Sequence, residues 1–491
     1  LNGLAMNEGG CMRIEDVLDV TIEASSFLSC HATVGGGGVF ASSVQNLTLH
    51  RVNFINVSAV AINPHQQMVA AGGSALLAYA YGNSTYINCS FVVVRDSTQA
   101  ITSDISSYYP QVTGGSIVVV WPNENTGHVV QAMLANLTFD SSTTVSGLNY
   151  TCTDASKCYV VSSLFLLAFL GSNSGHALSF SQFGSLLVRA SHMYGNSGNG
   201  VGFGAYWSSS QSGNSLTGSF HGSDLHVVNC VLSNDGNIVA FFWNGQASGS
   251  DVTIAYVESA SWSLSSSTLS GSSALFTLYW TGADSGCNLW VTFESHMTLS
   301  LFESVVSGAS GVFLLSWNSE MSGVDAKLEF LGHTGCYLSN TVVNDFSSLF
   351  LFFWLGQASG SNLVVSFVGG TTWSFFNTTM SGESSMMEAV WAGDSSGLGV
   401  DIFFLEKTSL TLFNSVMSSS SAVFTFEWDG TMSGSNTSLI FADHTSFSLD
   451  NSVLETFSSV FHCAWFSAES GHNVSVTHRN GTVWSLSASS I

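Results

Sequence analysis

Apolar and polar residues alternate in short runs along most of the chain, as in Leu363, Val365 and Phe367, then Trp373 and Phe375, or Phe424, Phe426 and Trp428. A period of two puts every second side chain on one face and predicts strands. The runs also recur at long range. Trp243, Trp280, Trp317, Trp354, Trp391, Trp428 and Trp465 are each 37 residues from the next, and Ser-Gly follows each of them five residues later, from Ser248-Gly249 to Ser470-Gly471. Three alternating runs per repeat predict three strands. The recurring Gly predicts a turn of fixed shape with positive φ.

Aligned by this period, each inward position becomes a column of similar side chains. One column is Ile254, Val291, Leu328, Val365, Ile402, Leu439 and Val476; another is Tyr256, Phe293, Phe330, Phe367, Phe404, Phe441 and His478. Columns of this kind require successive repeats to lie on top of one another, with each backbone amide and carbonyl paired to the coil above and below at about 4.8 Å. The expected fold class is all-β: a single-stranded parallel β-helix (β-solenoid), right-handed by the crossover rule, with three strands per coil of about 37 residues. The Trp column shares the parity of the apolar positions before it and is read as packing a corner of the core. Asn340, Asn377, Asn414 and Asn451 share one polar phase; Asp251, Asn288, Asp325, Asn362, Asn436 and Asn473 share another. Stacked amides at a bend bond to each other and to the turn backbone.

The regular array occupies 243–491. Over 121–242 the phase persists less evenly through Trp121, Phe169 and Trp207, each ahead of a Thr-Gly or Ser-Gly pair, and an inserted loop is expected near 152–158. Residues 1–120 are expected to form irregular coils whose phase the pattern does not fix; within them 1–40, with Cys11, Cys30 and a Gly35–Gly38 run, are expected to differ in form. About twelve or thirteen coils at about 4.8 Å each would give a rod on the order of 60 Å. Six complete repeats fill 243–464, and the seventh stops at Ile491 without a polar cap. That break predicts either further coils of a longer chain or head-to-tail stacking of copies.

Charge narrows the choice of partners. The net charge is −24, with eight Lys and Arg scattered along 491 residues, which excludes a nucleic-acid footprint. No carboxylate run has the spacing of a calcium loop, and no apolar run reaches the roughly 18 residues of a membrane span. The chain starts at Leu1 with no secretory hydrophobic stretch, so it is read as processed or partial. Sequons at Asn46, Asn56, Asn83, Asn88, Asn136, Asn149 and Asn480 are expected to carry N-glycans on an extracellular or cell-surface protein. Further sequons at Asn377, Asn436 and Asn473 fall on the polar ladders, where a committed amide is a poor acceptor. Asn480 is read as lying in the inter-strand loop and as a better acceptor. Of nine Cys, Cys152 and Cys158 flank a short loop and are expected to be disulfide-bonded.

Parallel β-helices often belong to polysaccharide-cleaving enzymes, so catalysis has to be tested. The Asn-Thr-Asp, paired Asp, Gly-His-Gly and Arg-x-Lys segments of pectinase-type hydrolases are missing, and the acids Glu294, Glu329, Asp401 and Asp443 are scattered. No catalytic residue, cofactor site or metal site is assigned. His296, His333 and His444 share a phase and are read as solvated loop residues. Hydroxyls recur in the second run (Ser261/Ser263, Thr298/Ser300, Thr372/Ser374, Ser409/Thr411, Ser446/Ser448) and weakly resemble the flat arrays of ice-binding solenoids, although Gly335/Tyr337 interrupts them.

The run Trp354–Asn362, with Val365–Phe367 and Asn414–Val416, resembles the Ser/Gly-rich repeats of kinetoplastid membrane-associated surface proteins of the dispersed-gene-family type, within the broader pectin-lyase-like β-helices. The likeness covers about 160–491 and carries no catalytic residue across. It implies one stretch of a large glycosylated ectodomain. The functional expectation is a structural or adhesive extracellular element that stacks end to end. The alternatives are a carbohydrate-binding or carbohydrate-cleaving β-helix, which outward acids and aromatics would favour, and an ice-binding solenoid.

Overall fold

The computed structural model describes residues 3–487 except 6–8, 34–35, 62–73, 97, 102–110, 142, 147–158, 196–197 and 295. Among these residues the regular structure is all strand, paired in parallel and stacked as a β-solenoid. The chain divides into two compact units. One holds Leu1–Gly213, His226–Phe242 and Thr268–Thr277; the other holds Asn214–Leu225, Trp243–Ser267 and Leu278–Ile491.

In the second unit a representative coil runs through Val364–Val368, Thr372–Phe376, Thr379–Met380 and Ser385–Trp391. The first two strands share a sheet, and each of the others belongs to its own, so the coil has three faces built from four segments. The extra segment recurs as Val342–Val343 and Val416–Met417. With a single buried residue in each, Val343, Met380 or Met417, it is too short to show an alternation in the sequence.

Register follows the 37-residue period. Val365 lies beside Ile402, Phe367 beside Phe404 and Trp354 beside Trp391. The aromatic column from Tyr256 through Phe293, Phe330, Phe367, Phe404 and Phe441 to His478 is stacked throughout, with ring centroids 4.6 to 4.9 Å apart. Phe313, Phe350 and Phe424 meet it edge-on from the Trp-bearing strand, which matches the preference of aromatic quadrupoles. The Trp column stacks as well, from 4.9 Å between Trp243 and Trp280 to 4.9 Å between Trp428 and Trp465, and it is buried up to Trp428.

The Ser-Gly pair is tied to the Trp before it by contact as well as by turn shape. Gly360 has φ +64°, and a Cβ at that position would overlap Nε1 and Cδ1 of Trp354. Its neighbour Ser359 donates to the Gly356 carbonyl at 2.7 Å and closes the turn.

Polar ladders line the corners. Asn377 Nδ2 donates to Asn340 Oδ1 at 2.6 Å, and Asn451 donates to Asn414. All four have φ near +50°, the left-handed conformation that Asn tolerates best among residues with a Cβ. In the second ladder Asn288 bonds Asp251, Asn362 bonds Asp325 and Asn473 bonds Asn436, at 2.9 to 3.0 Å.

The first unit has the same construction with uneven coil lengths. Residues 1–40 do not differ in form where they are described: Met12–Ile14 pairs with Val39–Ala41, and Asp19–Glu23 pairs with Asn46–His50. Leu47 lies beside Val20, 27 residues earlier, whereas Ile87 lies beside Leu47, 40 residues later. A period that changes from coil to coil leaves no phase to read in the sequence. Trp121 stacks on Phe169 at 4.4 Å and Phe169 on Trp207 at 5.3 Å, so the 48-residue interval is a single coil. Cys152, Cys158 and Asn149 lie outside the described residues. A disulfide joins Cys11 to Cys30. Asp140 sits between two of the few basic residues, 3.3 Å from Arg95 and 2.6 Å from Arg189, and the Arg189 bond holds its carboxyl below the usual range.

Candidate functional site

The outward faces of the second unit carry its candidate chemistry, and the repeat itself shows where to look. Two outward columns of the second strand are mostly hydroxylic, whereas other outward columns mix residue types and include large exposed side chains. In the first strand of each coil one such column reads Thr253, Trp290, Lys327, Val364, Asp401 and Ser438.

Trp290 breaks this column. It is 49% exposed, whereas Trp243 through Trp428 of the 37-residue column are buried. Its indole Nε1 donates to Glu329 Oε2 at 2.9 Å, and Lys327 Nζ stands 5.4 Å from the ring centroid. Lys327 is in turn bridged to Glu329 at 2.8 Å. Two side chains of the next coil thus hold the ring in one orientation. Beside it, Asp251, Thr253, Asn288, Leu289, Asp325 and Lys327 line an open notch of about 330 Å³.

A second notch, of about 440 Å³, opens at the turns between the first two strands. Each turn places two successive residues in the left-handed region: Gly369 and Gly370 in one coil, Glu406 and Lys407 in the next, Asp443 and His444 after that. The glycine pair leaves a gap walled by His333, Glu406, Lys407, Asp443 and His444. Exposed His296 and His333 stack at 5.5 Å, in keeping with the solvated reading of this phase. Among the described residues no three His, Cys, Asp or Glu side chains converge in a way that could hold a metal ion.

A further acid of note in this unit is Glu388, half-buried on the Trp-bearing strand. Ser348 Oγ donates to its Oε2 at 2.5 Å and accepts from Ser385 Oγ at 2.7 Å. Burial pushes its carboxyl up to about 7, opposed by the Ser348 bond and aided by the negative charge of Glu427.

The outward hydroxyls of the second strand do align from coil to coil, Ser261 beside Thr298 and Thr372 beside Ser409. Tyr337 stands in the array at 44% exposure, with its ring lying over Gly335, where a Cβ would overlap it.

Three proposed glycan acceptors turn out to be ladder residues. Asn46 Nδ2 donates to Asp19 at 2.5 Å, Asn56 to Ser29 at 3.0 Å and Asn480 to Asp443 at 2.9 Å. Asn480 lies in the turn between Ser475–His478 and Val483–Ser487, the inter-strand loop expected for it, and there a left-handed corner residue bonds to the left-handed corner residue of the coil before it. Asn83 is exposed, but its sequon hydroxyl, Thr85, is buried and accepts from Trp121 Nε1 at 3.2 Å. Asn88 is half-buried on a strand, and Asn136 accepts the Ser185 amide at 3.2 Å.

No family model matches the chain, and no curated protein matches it. Among solved structures it is similar to the PL6 family alginate lyase AlyGC and to a point mutant of that enzyme. The mutant is 8% identical with a TM-score of 0.16 and the parent 7% identical with a TM-score of 0.14; both alignments cover 98% of this chain and 97% of the other.

Proposed function

We propose that this chain is a structural and adhesive element of an extracellular surface, built to stack coil on coil and to join further coils of the same design. The unbroken stacking of the Trp and Phe columns carries this reading, because each coil presents the next with a preformed aromatic edge and a row of backbone partners. Head-to-tail contact of this kind is heterologous and extends into filaments. The Cys11–Cys30 bond supports an oxidising compartment, as does the resemblance to glycosylated kinetoplastid surface proteins.

Sedimentation velocity and electron microscopy over a concentration series test the assembly. Growth into fibres that Trp465→Asp abolishes, with the melting of the remaining coils kept, is the expected result. A chain that stays monodisperse at every concentration overturns self-stacking.

A further inference from the structure

The Trp290 notch has the parts of a ligand site that core stacking does not use. Its aromatic ring is outward, half exposed and fixed at both its edge and one face, by Glu329 and Lys327. The neighbour in register on the other side is Thr253, too short to cover an indole. Around the ring the polar groups are of both kinds. Asp251 and Asp325 each have one carboxylate oxygen engaged by the ladder amides of Asn288 and Asn362, which leaves the other oxygen as an acceptor, while the Lys327 ammonium donates. We propose that this notch binds an uncharged pyranose ring of a glycan, stacked on Trp290 and hydrogen-bonded through its hydroxyls to Asp251, Asp325 and Lys327.

Charge decides between ligand classes. An acidic sugar would meet Asp251, Asp325 and Glu329 on a chain of net charge −24, and a cationic ligand would meet Lys327 where it already occupies the indole face. Sugar hydroxyls both donate and accept, which suits a rim of mixed polarity, and an apolar ring face suits an immobilised indole. At about 330 Å³ the notch is at the small end of the ligand-site range of roughly 300–1,000 Å³. The proposal deepens the adhesive half of the functional reading by naming what is bound. It can fail while coil stacking holds, since sedimentation reads stacking and a ligand titration reads this site.

Isothermal titration of the whole chain with three neutral probes, a β-1,4-glucan hexaose, an N-acetylglucosamine tetraose and an α-mannan oligosaccharide, makes the test, with a polyuronate oligomer and choline as charged controls. At least one neutral probe is expected to bind in preference to both controls. Trp290→Ala is expected to weaken it about tenfold or more with unchanged melting, and Trp290→Phe to keep most of the affinity. Asp251→Asn with Asp325→Asn should weaken it by a smaller factor. The proposal is overturned if no neutral probe binds up to about 10 mM, if a charged control binds more tightly, or if Trp290→Ala leaves the affinity unchanged.

Discussion

A single side chain in a stacked column has neighbours that cannot close over its loss. Phe367 lies between Phe330 and Phe404, with ring centroids 4.7 and 4.9 Å away, and the backbone ladders pin the coils on both sides. Phe367→Ala is therefore expected to cost about 3–5 kcal/mol, read from denaturant melts; a loss below about 1 kcal/mol would mean that the hole collapses freely. Gly360 tests the opposite error. Alanine there must adopt a positive φ and push into the Trp354 indole, a combined cost of about 3 kcal/mol or more. The sequence alone predicted the turn at this Gly. The ring contact was hidden because it joins residues whose side chains meet only once the turn is built.

Glu388 gives the residue scale a pH signature. Its folded-state value of about 7 lies above the ordinary 4.5, so the folded chain holds the proton more tightly than the unfolded one. The stability this contributes is complete below about pH 4.5, falls as pH rises through 7 and is flat beyond, a total of about 3 kcal/mol. Glu388→Gln should flatten that dependence and stabilise the chain at pH 8. A wild-type stability profile with no fall between pH 5 and 8 would contradict the half-buried placement.

Elements were legible in proportion to their regularity. The first, second and Trp-bearing strands follow from alternation over five to seven residues, as in Thr372–Phe376 and Ser385–Trp391. The two-residue segment at Thr379–Met380 has no period to detect. The Asn ladders were visible as columns, whereas Asn46 and Asn56 were not recognised as ladder members because their partners Asp19 and Ser29 lie 27 residues away, off the 37-residue period; Asn480 stands 37 residues after Asp443, so that pair was legible in the sequence and was passed over. Cys11 and Cys30 were noted, but pairing them needs the length of the first coil, which only the register supplies. Mapping of non-reduced peptides should recover a Cys11–Cys30 link, and Cys11→Ser should cost about 3 kcal/mol in the first unit, the cost of opening a loop with a separation of 19 residues. Quantitative alkylation of both thiols without reduction would count against it.

At the scale of the whole molecule, the solenoid was legible from Trp243 onward because one period of 37 residues repeats without a slip, and it was illegible before Trp121 because coil length varies. The Trp290 notch was missed for a related reason: a pattern of repeats is silent about outward positions that do not repeat, and Trp290 is one of them. The central claim is that residues 37 apart are stacked neighbours from Trp243 onward. Pulsed electron–electron resonance between nitroxides tests it most directly, with labels at Ser300 and Ser448 and then at Ser263 and Ser448, in a background with the accessible thiols replaced by Ser. Four coils separate the first pair and five the second, which predicts backbone separations of about 19 and about 24 Å. An increase of about 4.8 Å for the added coil is the result the account requires, and distances that do not grow with the number of repeats between the labels would contradict it.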